Sequence, residues 1–383
     1  MRDTIITVVL MGAICAVWLW QKPAREVAKM QAGIAHALFE PEAGDVYAVG
    51  HSGRTEGLSG SQNGVAVLWK NGEQHRLSDG RFDSAANSVF VSNDDVYVAG
   101  YEKSIEYKIP ASFSIFWKNA IIWKNGVKQS LGDGKHASEA NSVFIWGDDV
   151  YVAGYEEISI DTTLSRPGQP YFEPIATIWK NGNVLYRLTN SANAPSKAMS
   201  VFVDGKDIYS AGSVPQYFGG SIATVWKNDQ ILYSRTRVNQ TSGVNSLFVS
   251  EKNIFGRRNV YYVGNGMESD SGRSAGSEAM VWKNGKLLYV LTDGKKIGIA
   301  GSVFVAGDDL YVAGKDVNYA MLWKNGEPIR LSDGGASGSA NSVFVSGKDV
   351  YVGGNDSNTA MVWKNGTVFQ RLSSGVVNSV FVK

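Results

Sequence analysis

The chain has 383 residues, and its 37 lysines and arginines nearly cancel its 36 aspartates and glutamates, which leaves a formal net charge of +1. This balance excludes a nucleic-acid-binding protein that works through bulk positive charge. One cysteine and four histidines exclude a disulfide framework and give no basis for a thiolate or imidazole metal cluster. With 44% hydrophobic residues, the chain is expected to fold around a sizeable core, without a cofactor or a bound metal.

The first predicted element is an apolar run over residues 4–20, which ends with Trp18 and Trp20. A run of this length is at the short end of what spans a bilayer, and tryptophan is enriched at the membrane interface. No small-residue cleavage site comes after it. We therefore predict a signal anchor or a signal peptide over residues 1–23, with the uncleaved anchor favoured, and a linker over residues 24–44.

The charges around this run leave its orientation open. Basic residues are more numerous after the run than before it, which by the positive-inside rule would keep the rest of the chain in the cytoplasm. Short N-terminal apolar segments nevertheless more often export the domain on their C-terminal side. We expect an extracytoplasmic protein, periplasmic or at the cell surface, that is membrane-anchored or secreted; the cytoplasmic-facing orientation stays open.

Three short motifs then recur seven times each. Trp-Lys-Asn begins at Trp69, Trp123, Trp179, Trp226, Trp282, Trp323 and Trp363. Asp-Val-Tyr-Val-Ala-Gly, in its commonest form, places Tyr47, Tyr97, Tyr151, Tyr209, Tyr261, Tyr311 and Tyr351. Ser-Val-Phe-Val places Phe90, Phe144, Phe202, Phe248, Phe304, Phe344 and Phe381. Such a repeat predicts one small structural unit used seven times, with linking loops of variable length.

Each unit is expected to contain four short strands. Side chains alternate along a strand, and residues 88–91, 96–99 and 66–69 are apolar on both faces, which is typical of strands that are covered on both sides. The fourth strand, such as residues 73–77, is mostly polar and suits an exposed edge. Asn-Gly follows the lysine in six of the seven Trp-Lys copies and is a strong hairpin signal.

These observations predict an all-β fold, a seven-bladed β-propeller of four-stranded antiparallel blades over residues 45–383. An open β-solenoid is the alternative, but hairpin turns and antiparallel pairing argue against it. The chain ends with an extra Ser-Val-Phe-Val at residues 379–382, whereas the first unit lacks a good copy. We therefore expect the C-terminal strand to join the first blade and close the ring. The repeated aromatic residues are assigned to the core.

One stretch departs from the repeat. Residues 116–119, Phe-Trp-Lys-Asn, duplicate the motif six residues before Trp123, either as a lengthened strand or as a slipped copy. We interpret this duplication as a feature of packing.

Over residues 45–383 the three motifs resemble bacterial β-propeller repeat proteins of unassigned function, and they are distantly similar to kelch and tachylectin-type propellers. The double glycine of kelch repeats occurs only at Gly353-Gly354, and the Ser-x-Asp-x-Gly-x-Thr-Trp box of sialidases is absent. The resemblance therefore implies the fold and carries no catalytic residue across.

The predicted ligand surface is the long-loop face, formed by the links from second to third strand and from fourth strand to the next unit, because variable loops on a rigid scaffold host binding. Candidates that follow the second-strand glycine are His51, Tyr101, Glu102, Tyr155, Glu156, Asn265, Lys315, Asp316, Asn355 and Asp356. Candidates at the channel mouth are Asn87, Asn141, Asn245, Asn341 and Asn378. Aromatic rings beside amides and carboxylates suit a glycan or a peptide. For the asparagines we nevertheless favour hydrogen bonds to neighbouring backbones over ligand contact, and for the loop charges we favour plain solvation.

Two classes of function stay open. The first is a non-catalytic binding or scaffold protein at the cell envelope: a monomeric propeller, held to the membrane through residues 4–20, that binds a polar ligand or a protein partner. The second is a hydrolase or lyase with an acid–base site on the same face. Its candidate groups are His51 and His136 with Glu102, Glu139, Glu156 or Asp161.

Overall fold

The computed structural model describes residues 40–56, 62–109, 113–160, 171–188, 195–215, 220–235, 242–252, 255–266, 276–333, 335 and 337–383. Within these ranges the chain is all-β, with 27 antiparallel strands and no helix. The described residues therefore include no helix that could cross a membrane. The predicted anchor over residues 1–23 and most of the predicted linker lie outside the described residues.

We number the repeated units 1–7 in chain order. Unit 1 contains β1 (Val46–Glu56), β2 (Gln62–Lys70) and β3 (Glu73–Arg76). Unit 2 contains β4 (Ser84–Ser92), β5 (Asp95–Ile109), β6 (Phe113–Lys124) and β7 (Val127–Ser130). Unit 3 contains β8 (Ser138–Trp146), β9 (Asp149–Ile160), β10 (Tyr171–Lys180) and β11 (Asn183–Leu188). Unit 4 contains β12 (Lys197–Asp204), β13 (Asp207–Pro215), β14 (Ser221–Lys227) and β15 (Gln230–Arg235).

The remaining units have the same order. Unit 5 contains β16 (Gly243–Val249), β17 (Val260–Gly266), β18 (Glu278–Lys283) and β19 (Lys286–Val290). Unit 6 contains β20 (Gly298–Ala306), β21 (Asp309–Asp316), β22 (Tyr319–Lys324) and β23 (Glu327–Arg330). Unit 7 contains β24 (Gly338–Ser346), β25 (Asp349–Asp356), β26 (Thr359–Lys364) and β27 (Thr367–Val382). Units 2–6 are separate four-stranded sheets, which confirms a repeated all-β arrangement that is compatible with a propeller.

The last strand belongs to two units. The first half of β27 pairs with β26, from Thr367 opposite Lys364, and its second half pairs with β1, ending with Val382 opposite Val46. Units 7 and 1 therefore form one seven-stranded sheet in the order β24-β25-β26-β27-β1-β2-β3. The C-terminal copy of Ser-Val-Phe-Val thus lies beside β1, in the place that β4 occupies beside β5.

Tryptophan forms the contact between consecutive units. All seven motif tryptophans are at most 1% exposed. Trp123 of unit 2 packs into a cluster with Tyr47 and Leu68 of unit 1, and Trp179 of unit 3 packs with Tyr97 of unit 2. This burial confirms the predicted core role of the tryptophans.

The inner strands, which carry Ser-Val-Phe-Val, contact one another in unit order. Neighbouring phenylalanine rings along this order have centroids 4.6–5.5 Å apart. Phe381 of β27 continues the series, since its ring lies 4.6 Å from Phe344 and 5.0 Å from Phe90. The motif serines Ser88, Ser142, Ser200, Ser246, Ser302, Ser342 and Ser379 accept amide N–H groups from Val143, Val201, Leu247, Val303, Val343, Val380 and Val89, in that order.

At the short turns, the Trp-Lys-Asn motif contacts the Asp-Val-Tyr motif, which explains why the two motifs occur together in each unit. In unit 2 the Lys124 ammonium lies 2.8 Å from Asp95 and 5.3 Å from the centroid of the Tyr97 ring. Asn125, at a φ of 49°, donates to Asp95 and accepts the Val96 N–H. We call this arrangement the turn clamp. Equivalent ion pairs are Asp45–Lys70, Asp149–Lys180, Asp207–Lys227, Asp309–Lys324 and Asp349–Lys364.

Unit 5 varies the clamp, because Asn259 occupies the position of the aspartate. Asn284 donates to the Asn259 side chain at 2.8 Å and accepts the Val260 N–H, so the hydrogen bonds of the turn are kept. Lys283 still lies 5.0 Å from the centroid of the Tyr261 ring. In each unit the clamp lies at the end of the strands that carries the short turns, opposite to the end that carries the long links. We call these two ends the short-turn face and the long-loop face.

Candidate functional site

The residue after each second-strand glycine is held close to the start of an inner strand. A Cβ atom on Gly100 would lie 2.1 Å from the Ala85 carbonyl oxygen, and one on Gly154 would lie 1.9 Å from the Glu139 carbonyl oxygen, so only glycine permits this approach. The residues after these glycines are thereby paired as His51–Val376, Tyr101–Ala85, Tyr155–Glu139, Ser213–Lys197, Asn265–Gly243, Lys315–Ile299 and Asn355–Ser339. We call these seven pairs the mouth ring, after the ring of units that the sequence predicts.

The mouth ring brings six predicted residues to equivalent positions: His51, Tyr101, Tyr155, Asn265, Lys315 and Asn355. It also includes residues that the sequence does not indicate, namely Ser213 and the inner-strand partners other than Glu139. Glu139 is a candidate only for the hydrolase alternative. Unlike the turn clamps, the ring has no common residue type. The two tyrosines, Tyr101 and Tyr155, belong to adjacent units.

Lys118 connects units 2 and 3 at this ring. Its ammonium lies 3.0 Å from Glu139 Oε2 and 3.9 Å from the centroid of the Tyr101 ring. Asn87 Nδ2 donates to Glu139 Oε1 at 3.3 Å. The carboxylate of Glu139 therefore has a cation on one oxygen and an amide donor on the other. Lys118 and Glu139 side chains are 32% and 16% exposed, so this pair can be reached from solvent.

Asp83 extends the network into the link between units 1 and 2. Its carboxylate accepts the Gly64 N–H and the Tyr101 hydroxyl, and it lies 3.1 Å from the Lys103 ammonium. Burial opposes ionisation of Asp83, but the Gly64 N–H, Lys103 and the Tyr101 hydroxyl together lower its pKa. Asp83 is therefore ionised and fixes the Tyr101 side chain.

Tyr155 lies on the other side of Glu139. Its ring is 8% exposed, and the Lys197 ammonium lies 4.3 Å from the ring centroid. Burial raises the pKa of Tyr155, and the charges of Glu139 and Glu157 raise it further. Burial likewise raises the pKa of Tyr101, and the charges of Asp83 and Glu139 add to that effect. Both phenols are thus held neutral and able to donate a hydrogen bond.

This arrangement offers charges and amides to a ligand rather than bare aromatic faces. Lysine ammonium groups lie over both tyrosine rings, so the rings are not open platforms for stacking on those faces. Cations and carboxylates alternate across the cluster, which we call the mouth cluster: Asn87, Tyr101, Lys118, Glu139 and Tyr155, flanked by Asp83, Lys103 and Lys197. Such a surface suits a polar ligand that carries both hydrogen-bond donors and acceptors.

Three other candidates are held by the scaffold. Glu102 pairs with Lys128 at 2.7 Å, and Glu156, 7% exposed, pairs with Arg187 at 2.9 Å. Asn355 is buried, and its amide donates to the carbonyl oxygens of residues 337 and 357. These contacts give each side chain a structural role.

At the end of unit 6, a partly buried carboxylate, Asp316, lies near a second negative charge. Burial raises the pKa of Asp316, and the nearby charge of Asp293 raises it further. Lys315 of the mouth ring and Asp356 of unit 7 are partly exposed at equivalent strand ends. The structure brings none of these three into the mouth cluster.

The five asparagines chosen for the channel mouth bond to the backbone of a neighbouring inner strand. Asn87, Asn141, Asn245, Asn341 and Asn378 donate to the carbonyl oxygens of Ala140, Ala198, Ala300, Val377 and Ala86 at 2.9–3.0 Å. The structural alternative from the sequence analysis therefore describes these contacts. Asn87 combines this role with its bond to Glu139.

Of the groups named for the hydrolase alternative, His136 and Glu139 contact residues outside that set. His136 has its Nδ1 2.8 Å from Asp133 Oδ2, and its ring packs on Phe172 with centroids 4.6 Å apart. Glu139 is engaged by Lys118, and Asp161 lies outside the described residues. Within the described ranges, no group of three or more His, Cys, Asp and Glu side chains could hold a metal ion.

No family model and no curated protein matches this chain. Solved structures that are similar include the computationally designed Ika8 protein, with 16% identity over 87% of this chain and 92% of that chain, at a TM-score of 0.45. A nidogen/laminin complex matches with 9% identity over 88% of this chain and 97% of that chain, at a TM-score of 0.37. A puromycin-hydrolyzing peptidase of Mycobacterium tuberculosis matches with 11% identity over 88% of this chain and 52% of that chain, at 0.48. At these TM-scores the similarities carry no argument about function.

Proposed function

We propose that the chain is a seven-bladed β-propeller that is closed by its C-terminal strand. The cyclic order of the contacts supports this proposal: the phenylalanine series and the serine series both pass from Phe344 and Ser342 to β27 and from β27 back to β4. The pairing of β27 with both β26 and β1 supports it as well, because it leaves no free strand edge between units 7 and 1.

We further propose that this propeller is a non-catalytic binding or scaffold protein whose mouth cluster receives a polar ligand, a glycan or a peptide, or a protein partner. One contrast within the chain carries this proposal. The short-turn face repeats one clamp from unit to unit, whereas the seven second-strand positions of the mouth ring carry five different residue types. A rigid repeated frame that presents a non-repeated polar surface is the usual construction of a binding site.

The tether is part of the same proposal. We propose that residues 4–20 hold the protein at the cell envelope, with the propeller on the extracytoplasmic side. The described chain begins on the short-turn face, where Lys383 donates to the Pro41 carbonyl oxygen at 2.9 Å and Gly44 donates to the Lys383 carbonyl oxygen at 2.8 Å. A tether that leaves from this face is attached at the end of the sheets opposite to the mouth cluster.

The test is a glycan and peptide array probed with the full chain in detergent, together with Lys118→Gln and Glu139→Gln. The chain offers a matched control, Lys124→Gln, because Lys124 also covers a tyrosine ring and pairs with a carboxylate, but on the short-turn face. We expect a bound ligand to be lost with the first two variants and kept with the third. Binding that survives both mouth variants would refute this surface, and turnover of the bound ligand would favour the hydrolase or lyase alternative.

A further inference from the structure

The seven phenylalanines of the inner strands form a cyclic series of ring contacts, which can be compared with a regular ring of seven. The centroid distances average about 5.0 Å, and neighbouring ring planes differ by 42–60°, on average about 51°. A full turn divided into seven equal steps gives the same angle, about 51° per step. A step of this size requires ring planes that run parallel to the common axis. We call these seven rings, from Phe90 to Phe381, the phenylalanine collar.

In the closed ring that we propose, the collar surrounds an opening on this axis. Seven centroids about 5.0 Å apart lie about 6 Å from the centre of a regular ring. The ring atoms take up about 2–4 Å of this distance, according to whether a ring turns its face or its edge to the axis. The opening therefore has a radius of about 2–4 Å, and a single extended alkyl chain, with a radius of about 2 Å, fits into it.

The stretch of the inner strands between the collar and the mouth ring carries no charge. Three residues before each phenylalanine, about 10 Å along a strand, lie the five asparagines of the channel mouth, with Met199 and Gly301 in units 4 and 6. The motif serines come between these positions and the collar. Charged residues begin two positions further out, at Glu139 and Lys197 of the mouth ring. The axis therefore leads from a charged mouth through a neutral polar ring to an apolar collar.

The collar leaves aromatic surface exposed inside the ring. All seven phenylalanines are partly exposed, whereas the valines on either side of Phe90, Val89 and Val91, are buried at 4% and 6%. Each phenylalanine ring is covered by a neighbouring ring on two sides, so its exposed surface faces the opening. An apolar chain that filled the opening would remove this surface from water, which is favourable. An apolar recess with a few polar groups at its entrance is typical of small-molecule sites.

We propose that the ligand of the mouth cluster carries a linear acyl chain, which passes the asparagines and ends in the phenylalanine collar. This inference rests on the proposed function, since it takes the closed ring and the polar mouth from it. It narrows the ligand class to an amphiphile whose polar end stays at Lys118 and Glu139 and whose chain lies on the axis.

The experiment measures the binding of radiolabelled dodecanoic acid and of its shorter homologues to the full chain, in a steroid detergent that has no linear chain of its own. We expect the affinity to rise by up to about fourfold with each added methylene group until the chain reaches the collar. Gly301→Trp puts an indole into the channel between the collar and the mouth and should abolish binding. Gly301→Asn is the matched control, because five other units carry asparagine there, and it should leave binding unchanged.

A second variant obstructs the channel from unit 4. A Cβ atom on Gly301 would lie 3.3 Å from the Asn341 carbonyl oxygen, so Gly301→Trp has to displace its neighbour slightly. Met199 already has a long side chain at this level, where its sulfur lies 3.6 Å from Asn141 Nδ2, and Met199→Trp enlarges it without a new backbone contact. Binding is compared in the variant that melts with the parent protein.

The outcomes separate this inference from the proposed function. Dodecanoic acid that stays bound in the obstructed variant would place its chain outside the channel and overturn the inference. If ligands from the array bind in a manner that depends on Lys118 but none of the acids binds, the acyl chain is wrong and the proposed function stands. If neither the array ligands nor the acids bind, the proposed function fails and the acyl chain fails with it.

Discussion

The hydroxyl of Ser379 accepts the amide N–H of Val89 at 3.3 Å, although 290 residues separate the two in sequence. The bond repeats the one that Ser88 makes with Val143 and Ser142 makes with Val201. The last strand of the chain therefore contacts unit 2 in the way that every other inner strand contacts its successor.

Removing one of these hydroxyl groups should lower the free energy of unfolding equally in β27 and in the other inner strands. Ser379→Ala and Ser142→Ala each leave one inner-strand N–H without its acceptor, so we expect each to lower the free energy of unfolding by about 1 kcal/mol. Urea unfolding of the two variants and of the parent protein measures this loss of unfolding free energy. A neutral Ser379→Ala with a destabilising Ser142→Ala would mean that β27 is not bonded to β4 in solution.

The turn asparagines should be more sensitive than the turn aspartates. Asn125→Ala removes two hydrogen bonds and puts alanine at a φ of 49°, so we expect a loss of about 2 kcal/mol of unfolding free energy. Asn125→Gly relieves the backbone and should lose about half as much. Asp95→Asn reproduces the clamp of unit 5 and should cost under about 1 kcal/mol. An Asn125→Ala variant as stable as the parent would contradict the clamp; thermal or chemical denaturation decides it.

Much of this architecture could be predicted because the repeat is explicit. The tryptophan, tyrosine and phenylalanine series predict seven units and the strand order within each, and the burial of residues such as Trp69 follows from their position on strands covered on both faces. The pairing of Lys124 with Asp95 could not be predicted, because loops of irregular length separate the two motifs and only the folded sheet sets them side by side.

The mouth cluster was predicted only in part. The sequence indicates Tyr101 and Tyr155, because they follow the second-strand glycine. It does not indicate Lys118, since the duplicated motif at residues 116–119 is equally explained by packing. The structure makes this stretch part of a lengthened strand, β6, and this length is what carries Lys118 to Glu139 of the next unit. The duplication itself was the available signal.

Glu139 should control the ionisation of its neighbour Tyr155. Burial is the largest cause of the raised pKa of Tyr155, and the charge of Glu139 is the next. Glu139→Gln removes that charge, so we expect the Tyr155 pKa to fall towards its ordinary value, as followed by NMR of ¹³C-labelled tyrosine. Glu102→Gln is the control, because Glu102 pairs with Lys128 and should leave the pKa of Tyr155 unchanged.

The half-buried Glu157 makes stability depend on pH. Burial raises its pKa above the unfolded value of about 4.3, so the folded state binds the proton more tightly, and the resulting stability is present below that pH and lost as the pH rises through the folded pKa. Glu157→Gln should therefore be more stable than the parent at pH 7, and the difference should disappear below pH ~4.

Asp83 should affect the pH dependence of stability in the sense opposite to Glu157, and it serves as the comparison. Burial opposes its ionisation, but the stronger effect of its donors lowers its pKa, so its stabilisation is present above about pH 3.9 and lost as the pH falls through the folded pKa. Asp83→Asn should be less stable than the parent at pH 7. The Glu157 account would be wrong if Glu157→Gln destabilised the protein at neutral pH as Asp83→Asn does.

The effect of a substitution in the second half of β27, where units 7 and 1 meet, is best compared with the same substitution in another inner strand. Val380 of β27 and Val343 of β24 occupy the same position in the inner-strand motif and are 3% and 4% exposed. Val380→Asn and Val343→Asn bury the same amide and should lower the melting temperature equally if both strands serve as inner strands. The change in melting temperature of these two variants is the reference for the change caused by a truncation of β27.

Closure of the ring by the C-terminal strand is tested most directly by the melting temperature of a chain that lacks residues 379–383. The deletion removes Val380 and Val382, both buried, together with Phe381 between Phe344 and Phe90. Losing roughly 5 kcal/mol of burial predicts a fall of about 10 °C or more, in a single transition. A truncated chain that melts with the parent would show that units 7 and 1 are not joined by β27, and would contradict the account.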